Sequence, residues 1–577
     1  MRKFCLTNGR AFRPRADKAA LSKLATELLG VLKDPDREAL KRIARNPLLL
    51  TLTTALYCKD GPSALPRDRA GLYGVCLEAL LRRWEEKLEH DDPSKSYSIH
   101  DTTLGRDELH AALDHLGYRA HLGLTGAGAA EREHDDLTGD AIAEAFSPRL
   151  REGYGNQHVI DYLQNSTGLI VARDQAKFAF IHRSFREYLA ARYVTRTDSI
   201  RDWTDFAAAC RADAGWWREV VAMGARMGDK NESPPMTTAL LTHLLPYGPS
   251  ELPARSDEDW LLAELTAHGE AERDADATHP SARAAVRSRC VGWLVALVED
   301  DALGRSPDQR EQAAITLGRL GDPRKGVGLD PEFPELPDID WVEIAAGKVT
   351  LEENNREFPI AHPFRIARYP VTNRQFQTFV DDPEGHRNRT WWAGFESKHR
   401  DPEPSRWPEP NHPRTDVSWY EALAYCRWLT AKSRACGRIE PDWEIRLPTE
   451  WEWQQAATGC DPANVFPWGP KYEAGRANVE KDSLGRTNAV GLYRRGASPQ
   501  GVHDLAGNIW EWCLNKYDSP EKTSADNYDD WRVLRGGAWC LPASYARAAF
   551  RGLNRSDSRY VVGFRLCCSP PSAGTDH

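Results

Sequence analysis

From Trp341 onward the chain changes character: tryptophans crowd together, apolar runs shorten, and glycine and proline interrupt them at close intervals. Few long amphipathic helices fit between such interruptions. The core must then be assembled largely from rings, each bringing a large apolar surface. That constraint predicts one loop-rich α+β domain over residues 335–570, with Trp419, Trp451, Trp453, Trp510 and Trp512 as core rings. Thr449, followed three residues on by Glu452, has the pattern of a capping box and predicts a helix start rather than a catalytic carboxylate. Gly536, Gly537 and Gly563 are expected at tight backbone positions.

The preceding residues read as helical. A chain of 577 residues, at ~150 per domain, predicts three or four units. They are a helical segment at 1–60, a winged-helix-like unit at 61–200, a helical connector at 201–330 and the α+β domain at 335–570. Leu21, Leu24, Leu28, Leu29 and Leu32 recur at helical spacing, continued by Leu40 and Ile43. Asn46-Pro47 breaks the pattern and starts a second helix with proline in its first turn. A third helix is predicted over Gly71 to Leu88, striped by Leu72, Val75, Leu77, Leu80, Leu81 and Trp84. Residues 90–160 read as polar and irregular. A helix around Val159 to Leu163 ends at Gly168, and Leu169-Ile170-Val171 and Phe178-Ala179-Phe180 form a hairpin across Arg173-Asp174. A helix from Ser184 to Val194 closes the unit. Residues 200–325 predict paired helices, the last resembling one HEAT-type repeat, and Pro331, Pro334 and Pro337 predict a stiff linker.

Composition narrows the function classes. A net charge of −9 argues against an electrostatic nucleic-acid binder, which needs surplus Lys and Arg. No apolar run reaches the ~18 residues of a membrane span, and the first residues lack the apolar stretch of a signal peptide. Twelve cysteines without paired zinc spacing fit a reduced, cytoplasmic chain.

Three N-terminal phrases, "RNPLLLTLTTALY" at 45–57, "LPRDRAGLYGVCLEALLRRW" at 65–84 and "FAFIHRSFREYLAARYV" at 178–194, resemble the lid and winged-helix region of bacterial NACHT-type signalling ATPases. His182 and Glu187 in the last phrase read as capping or packing residues. No Gly-x4-Gly-Lys-Ser/Thr loop accompanies them, so nothing is available to cradle phosphates. The resemblance therefore implies a module that begins midway, with an upstream ATPase half or an oligomeric assembly as its partner.

The C-terminal phrases "HPFRIARYPVTNRQFQTFV" (362–380), "HPRTDVSWYEALAYCRWL" (412–429), "IRLPTEWEWQQAATG" (445–459), "GVHDLAGNIWEW" (501–512), "RVLRGGAW" (532–539) and "VGFRL" (562–566) resemble, in order, the formylglycine-generating enzyme (sulfatase-modifying factor) family. The resemblance implies a C-type-lectin-like fold. It also implies copper held by two cysteines five positions apart, where soft thiolates suit a cuprous ion. Those positions here are Ala546 and Arg551, and no cysteine lies between Leu541 and Leu566, so copper is not expected. Cys540 and Cys567 flank the gap. The His-x3-His-x-Glu signature of the iron-dependent branch is also missing. The family's structural calcium, an ion suited to oxygen ligands, would fall to Asn508 and Glu511, with a second site at Asn478.

The same fold serves as a display scaffold in the variable proteins of diversity-generating retroelements, and 532–569 resembles their terminal segment. The candidate ligand-binding residues are Trp539, Leu541, Ser544, Tyr545, Arg547, Phe550, Asn554, Arg555, Ser558, Arg559 and Tyr560. Aromatic and arginine side chains mixed with small polar ones suit a recognition surface. The expectation is a binding protein with a protein ligand, with no nucleic acid and no membrane as partner. The alternative is a copper- or iron-dependent protein-modifying oxidase.

Overall fold

The computed structural model describes residues 18–33, 47–61, 65–66, 68–91, 104–128, 137–150, 155–174, 177–196, 203–230, 234–252, 255–273, 280–299, 304–351, 356–524, 530–557 and 561–570. They fall into two compact units, Met1–Cys290 and Val291–His577. Among the described residues no helix is long and apolar enough to cross a membrane.

The first unit opens with α1 (Lys18–Lys33), α2 (Pro47–Asp60) and α3 (Arg69–Asp91), where the leucine spacing and the Asn46-Pro47 break predict them. Leu40 and Ile43 lie outside the described residues. The stretch read as irregular instead holds α4 (Arg106–Leu122), strand β1 (Leu137–Thr138) and α5 (Gly139–Phe146). The apolar stripe of α4 is hidden in the sequence because His110, Asp114 and His121 share its buried face. Asp114 is tolerated there because Arg192 and Arg196 lie 3.2 and 3.4 Å from its carboxylate. After α6 (Asn156–Asp161) come β2 (Ile170–Asp174), β3 (Lys177–Phe180) and α7 (Arg183–Val194). The hairpin forms with Ile170 opposite Phe180, but Arg173 and Asp174, expected in its turn, belong to β2, with Asp174 opposite Lys177; β1 adds a third strand in the order β1-β3-β2. His182 is the N-cap of α7, accepting from Ser184 N at 3.2 Å. Helices α4 and α7 approach closely at Gly117, where a Cβ would stand 2.4 Å from Leu189 Cβ. The unit continues through α8 (Thr204–Ala212), α9 (Ala214–Lys230), α10 (Pro234–Leu244) and α11 (Asp257–Ala271). The chain passes into the second unit within α12 (Pro280–Glu299).

The second unit begins its own packing with α13 (Pro307–Leu320), started by a Ser306/Gln309 capping box. The proline-rich stretch after it is a packed turn rather than a spacer. Asp330 N donates to Leu336 O at 2.9 Å, and Val327 and Leu336 are buried. Strands β4 (Trp341–Ile344), β7 (Phe364–Ala367), β8 (Glu444–Arg446) and β13 (Cys567–Ser569) form a sheet ordered β4-β7-β13-β8. A second sheet runs β11-β10-β9-β12, from β9 (Trp510–Lys516), β10 (Trp531–Arg535), β11 (Gly552–Arg555) and β12 (Val562–Gly563). Strands β5 (Gly347–Thr350) and β6 (Glu357–Ile360) pair separately. Helices α14 (Asn373–Asp381), α15 (Trp419–Ala435) and α16 (Glu450–Thr458) each start at a capping box, on Thr372, Ser418 and Thr449. Trp419, Trp453 and Trp512 are fully buried, while Trp451 and Trp510 are half-buried at the edge of the core.

Gly117→Ala is expected to lower the unfolding free energy by roughly 1–3 kcal/mol, the usual cost of overpacking a tight site. Urea denaturation of the full chain, followed by the loss of helix signal, measures it. An unchanged midpoint would contradict the close approach of α4 and α7.

Candidate functional site

Strand β10 ends at Arg535 and runs into Gly536-Gly537, whose φ are 95° and 75°. A Cβ at Gly537 would lie 3.1 Å from Ala546 N and Tyr545 O, so only glycine lets the chain fold back so closely. The segment then crosses in a short turn, Ala543–Ala546, and returns as β11 along β10. Gly552 is required there because a Cβ would stand 2.8 Å from the Trp510 ring.

Two buried arginines hold this segment from beneath. Glu450, at the first turn of α16, accepts from Arg535 Nη2 at 2.8 Å and from Arg551 Nε and Nη2 at 2.7 and 3.0 Å. Its backbone N–H donates to Asn515 Oδ1 at 2.7 Å. Arg535 Nη1 also donates to Ala548 O and Phe550 O, at 3.1 and 3.3 Å. Arg551 Nη2 donates to Tyr517 O at 3.0 Å, with the guanidinium 4.5 Å above the Tyr517 ring. The backbone from 546 to 551 is therefore fixed by charge-assisted bonds.

These residues do not fit copper. Ala546 offers no donor atom and packs among Ala477, Val479 and Ala506. Arg551 is a cation already committed to Glu450. The neighbouring thiols lie elsewhere: Cys567 pairs with Ile366 and Arg446 inside the other sheet, whereas Cys540 follows β10 in a half-buried turn. Burial pushes the Cys513 and Cys567 thiols far up and Cys568 up to about 12, away from the thiolate a metal needs.

The residues assigned to calcium do not assemble as a ligand set either. Glu511 accepts from Arg565 Nε and Nη2 at 2.7 and 2.8 Å and from Trp453 Nε1 at 2.7 Å, which commits both oxygens. Asn478 and Asn508 do come together: Asn508 N donates to Asn478 O at 2.9 Å, and their side chains meet through Asn488. Asn478 Nδ2 donates to Asn488 Oδ1 at 2.8 Å, and Asn488 N donates to Asn508 Oδ1 at 3.1 Å.

The outer face of the segment is apolar and aromatic. Tyr545 and Phe550 stand 4.7 Å apart, and Phe550 lies 6.1 Å from Trp510. Trp539 meets Trp407 edge-on at 5.6 Å. Among the described residues six large apolar side chains are exposed. Four of them, Val465, Trp531, Tyr545 and Leu553, border this segment, with Val465 O accepting from Ala548 N and Trp531 opposite Arg555. Leu541, Ser544, Arg547, Asn554 and Arg555 line the same stretch. Arg547 Nε donates to Ser544 O at 3.2 Å, and Asn554 Oδ1 accepts from Arg555 N at 2.9 Å. Ser558, Arg559 and Tyr560 lie outside the described residues. Trp407, Trp531 and Val465 escaped the sequence reading, and Trp510 was read only as core. An isolated tryptophan in the proline-rich stretch "PEPSRWPEP" was the signal for Trp407.

Residues 331–569 match the sulfatase-modifying factor enzyme 1-like domain, and residues 69–194 match the winged helix-turn-helix domain C-terminal to NACHT. The formylglycine-generating enzyme of Streptomyces coelicolor is 32% identical over 259 residues, 35% of this chain and 77% of its own length. The chain belongs to the sulfatase-modifying factor enzyme 1-like family. Within the family it is also similar to the hercynine oxygenase of Mycolicibacterium thermoresistibile, 31% identical over 45% of this chain. The chain spans 65% of that relative's length. It resembles the inactive C-alpha-formylglycine-generating enzyme 2 of Bos taurus as well, 29% identical over 36% of this chain and 77% of the relative. Among solved structures, Treponema denticola variable protein 1 aligns with a TM-score of 0.31 and 23% identity, over 40% of this chain and 95% of its own.

Removing Glu450 strands two buried cations, so Glu450→Ala is expected to cost about 3–5 kcal/mol. Arg551→Met leaves the Arg535–Glu450 pair intact and is expected to cost less than half as much. Guanidinium unfolding of both variants tests this. Equal losses would contradict an Arg535–Glu450 pair that holds without Arg551.

Proposed function

We propose that the C-terminal domain is a recognition module whose ligand is a protein surface, bound by the outer face of residues 539–555. The observation that carries this reading is Arg551: a guanidinium clamped on Glu450 stands at a position where the resemblance calls for a copper thiolate. The exposed Tyr545 and Leu553 side chains above the clamp support it, since exposed apolar side chains on a rigid backbone suit protein association. The name of the Bos taurus relative shows that the family includes inactive members. The winged-helix unit is then the rear part of a NACHT-type switch. The whole is a sensor for bacterial defence or signalling, with 532–569 as a retroelement-diversified segment. A cytoplasmic setting belongs to the same reading, with Cys567 and Cys568 as buried thiols.

Selection of a displayed protein-domain library on the full chain supplies a ligand. Tyr545→Ala and Leu553→Ser are each expected to weaken its binding by about tenfold or more, as central aromatic and apolar contacts do. In parallel, the protein loaded with copper(I) and offered a cysteine-containing peptide is expected to show no oxygen uptake above free copper. Copper-dependent uptake that persists after Cys540→Ser and Cys567→Ser would overturn the recognition reading in favour of an oxidase.

A further inference from the structure

The loop from residue 477 to residue 493 lies between the recognition segment and α13, and it is bonded to both. On the recognition side, Glu480 N donates to Leu541 O at 2.9 Å, and Trp539 N donates to Asn508 O at 3.1 Å. Asn508 N donates in turn to Asn478 O at 2.9 Å. Asn508 Nδ2 donates to Asn488 O at 3.2 Å, which completes the amide network of Asn478, Asn488 and Asn508. On the helix side, Ala489 N donates to Glu311 Oε2 at 3.0 Å. The other Glu311 oxygen lies 2.8 Å from His412 Nε2, and His412 Nδ1 stands 3.0 Å from Thr487 Oγ1. The Arg310 guanidinium donates to Leu492 O and, at 2.8 Å, to Val298 O. Val490 N donates to Asn411 O at 3.0 Å, and Asn411 Nδ2 to Ala314 O at 2.8 Å.

Every bridging side chain is buried: Glu311 at 2% exposure, His412 at 0%, Asn478 at 1%, Asn488 at 0% and Asn508 at 1%. In such a setting a hydrogen bond that breaks finds no water to replace it, so neighbouring bonds rise and fall together. An apolar contact can slide; a buried directional bond cannot. Glu311 thus turns away from α13: Oε2 accepts from the loop at Ala489 N, and Oε1 faces His412 and, at 3.6 Å, Arg486 Nη2 of the loop.

We infer that the 477–493 loop couples the recognition segment to α13, so that a displacement of Trp539 or Leu541 is read as a change in the stability of α13. Resting on the recognition reading above, this gives the sensor an output: α13 follows α12, the helix in which the chain passes from the first unit to the second. Glu311, Asn488 and Asn508 are positioning residues in this scheme.

Coupling is a non-additive free energy between sites, and it is measurable without any ligand. Hydrogen exchange of the full chain, read on the amides of residues 307–320, compares Trp539→Ala, Glu311→Gln and the double variant. Trp539→Ala is expected to speed exchange in α13 by about tenfold. In the Glu311→Gln background the same change is expected to add little. Tyr545→Ala, whose ring meets Phe550 rather than the loop, is expected to leave α13 unchanged. Trp407→Ala, which removes only the ring against Trp539, gives the same reading should Trp539→Ala fail to fold. Unchanged α13 protection in Trp539→Ala and Trp407→Ala overturns the coupling, as do effects that simply multiply in the double variant. A protein that binds a selected domain yet shows unchanged protection sinks the coupling alone. One that binds nothing yet shows the coupling sinks the recognition reading alone.

Discussion

The ion pair between Glu511 and Arg565 joins the two sheets on which the C-terminal unit is built. Glu511 lies on β9 of one sheet. Arg565 precedes β13 of the other and also donates to Ala367 O at the end of β7 and to His503 O, at 2.9 and 2.8 Å. Both side chains are fully buried. A carboxylate in that position is stable only while the guanidinium satisfies it, and the guanidinium needs the carbonyls as well as the carboxylate. The pair therefore acts less as a source of stability than as a specification. This packing of the sheets places five acceptors around Arg565: both Glu511 oxygens and the carbonyls of Ala367, Arg368 and His503.

The same device recurs, and the local sequence explains why. Glu450-Trp451-Glu452-Trp453 and Trp510-Glu511-Trp512 alternate acids with rings. The rings exclude water, and each acid left among them finds an arginine: Arg535 and Arg551 for Glu450, Arg446 for Glu452 at 2.8 Å on both oxygens, Arg565 for Glu511. Carboxylates so arranged look like catalytic or metal-binding groups in the sequence. In the fold they are consumed by packing, which is why Glu511 turns to Arg565 rather than to an ion.

That contrast marks what the sequence made legible. Features decided by neighbours along the chain were readable. The Thr449/Glu452 capping box, the Pro47 helix start, the β2–β3 hairpin and the backbone demands at Gly536 and Gly537 all follow from local chemistry. Features decided by distant partners were not. Helix α4 was hidden because Asp114 sits on its buried face, and the two arginines that make this tolerable belong to α7. The proline-rich turn before β4 looked like a spacer because its anchors, Gln375 Nε2 on Gly326 O and Thr372 Oγ1 on Val327 O, come from the start of α14. Trp407 joined the candidate surface only through Trp539, more than a hundred residues away. The segment 539–555 itself was located by its flanking motifs, but its clamp was not, since nothing in "SYARAAFRG" announces that Arg551 turns inward while Arg547 stays near the surface.

The inward turn of Arg551 bears directly on what this face can do. A recognition surface gains affinity when its backbone is already ordered, because less freedom is lost on binding. Here the order comes from below: two guanidinium groups, one carboxylate and the carbonyls of Ala548, Phe550 and Tyr517 hold the chain, and none of these groups needs the outward side chains. Tyr545, Arg547, Leu553 and Arg555 can then differ without disturbing the frame that presents them. A thiolate pair at the same two positions would tie the outer face to one metal and one reaction. An alanine and a clamped arginine separate the frame from the face, and that separation is the physical condition for a surface whose specificity is set by side chains alone.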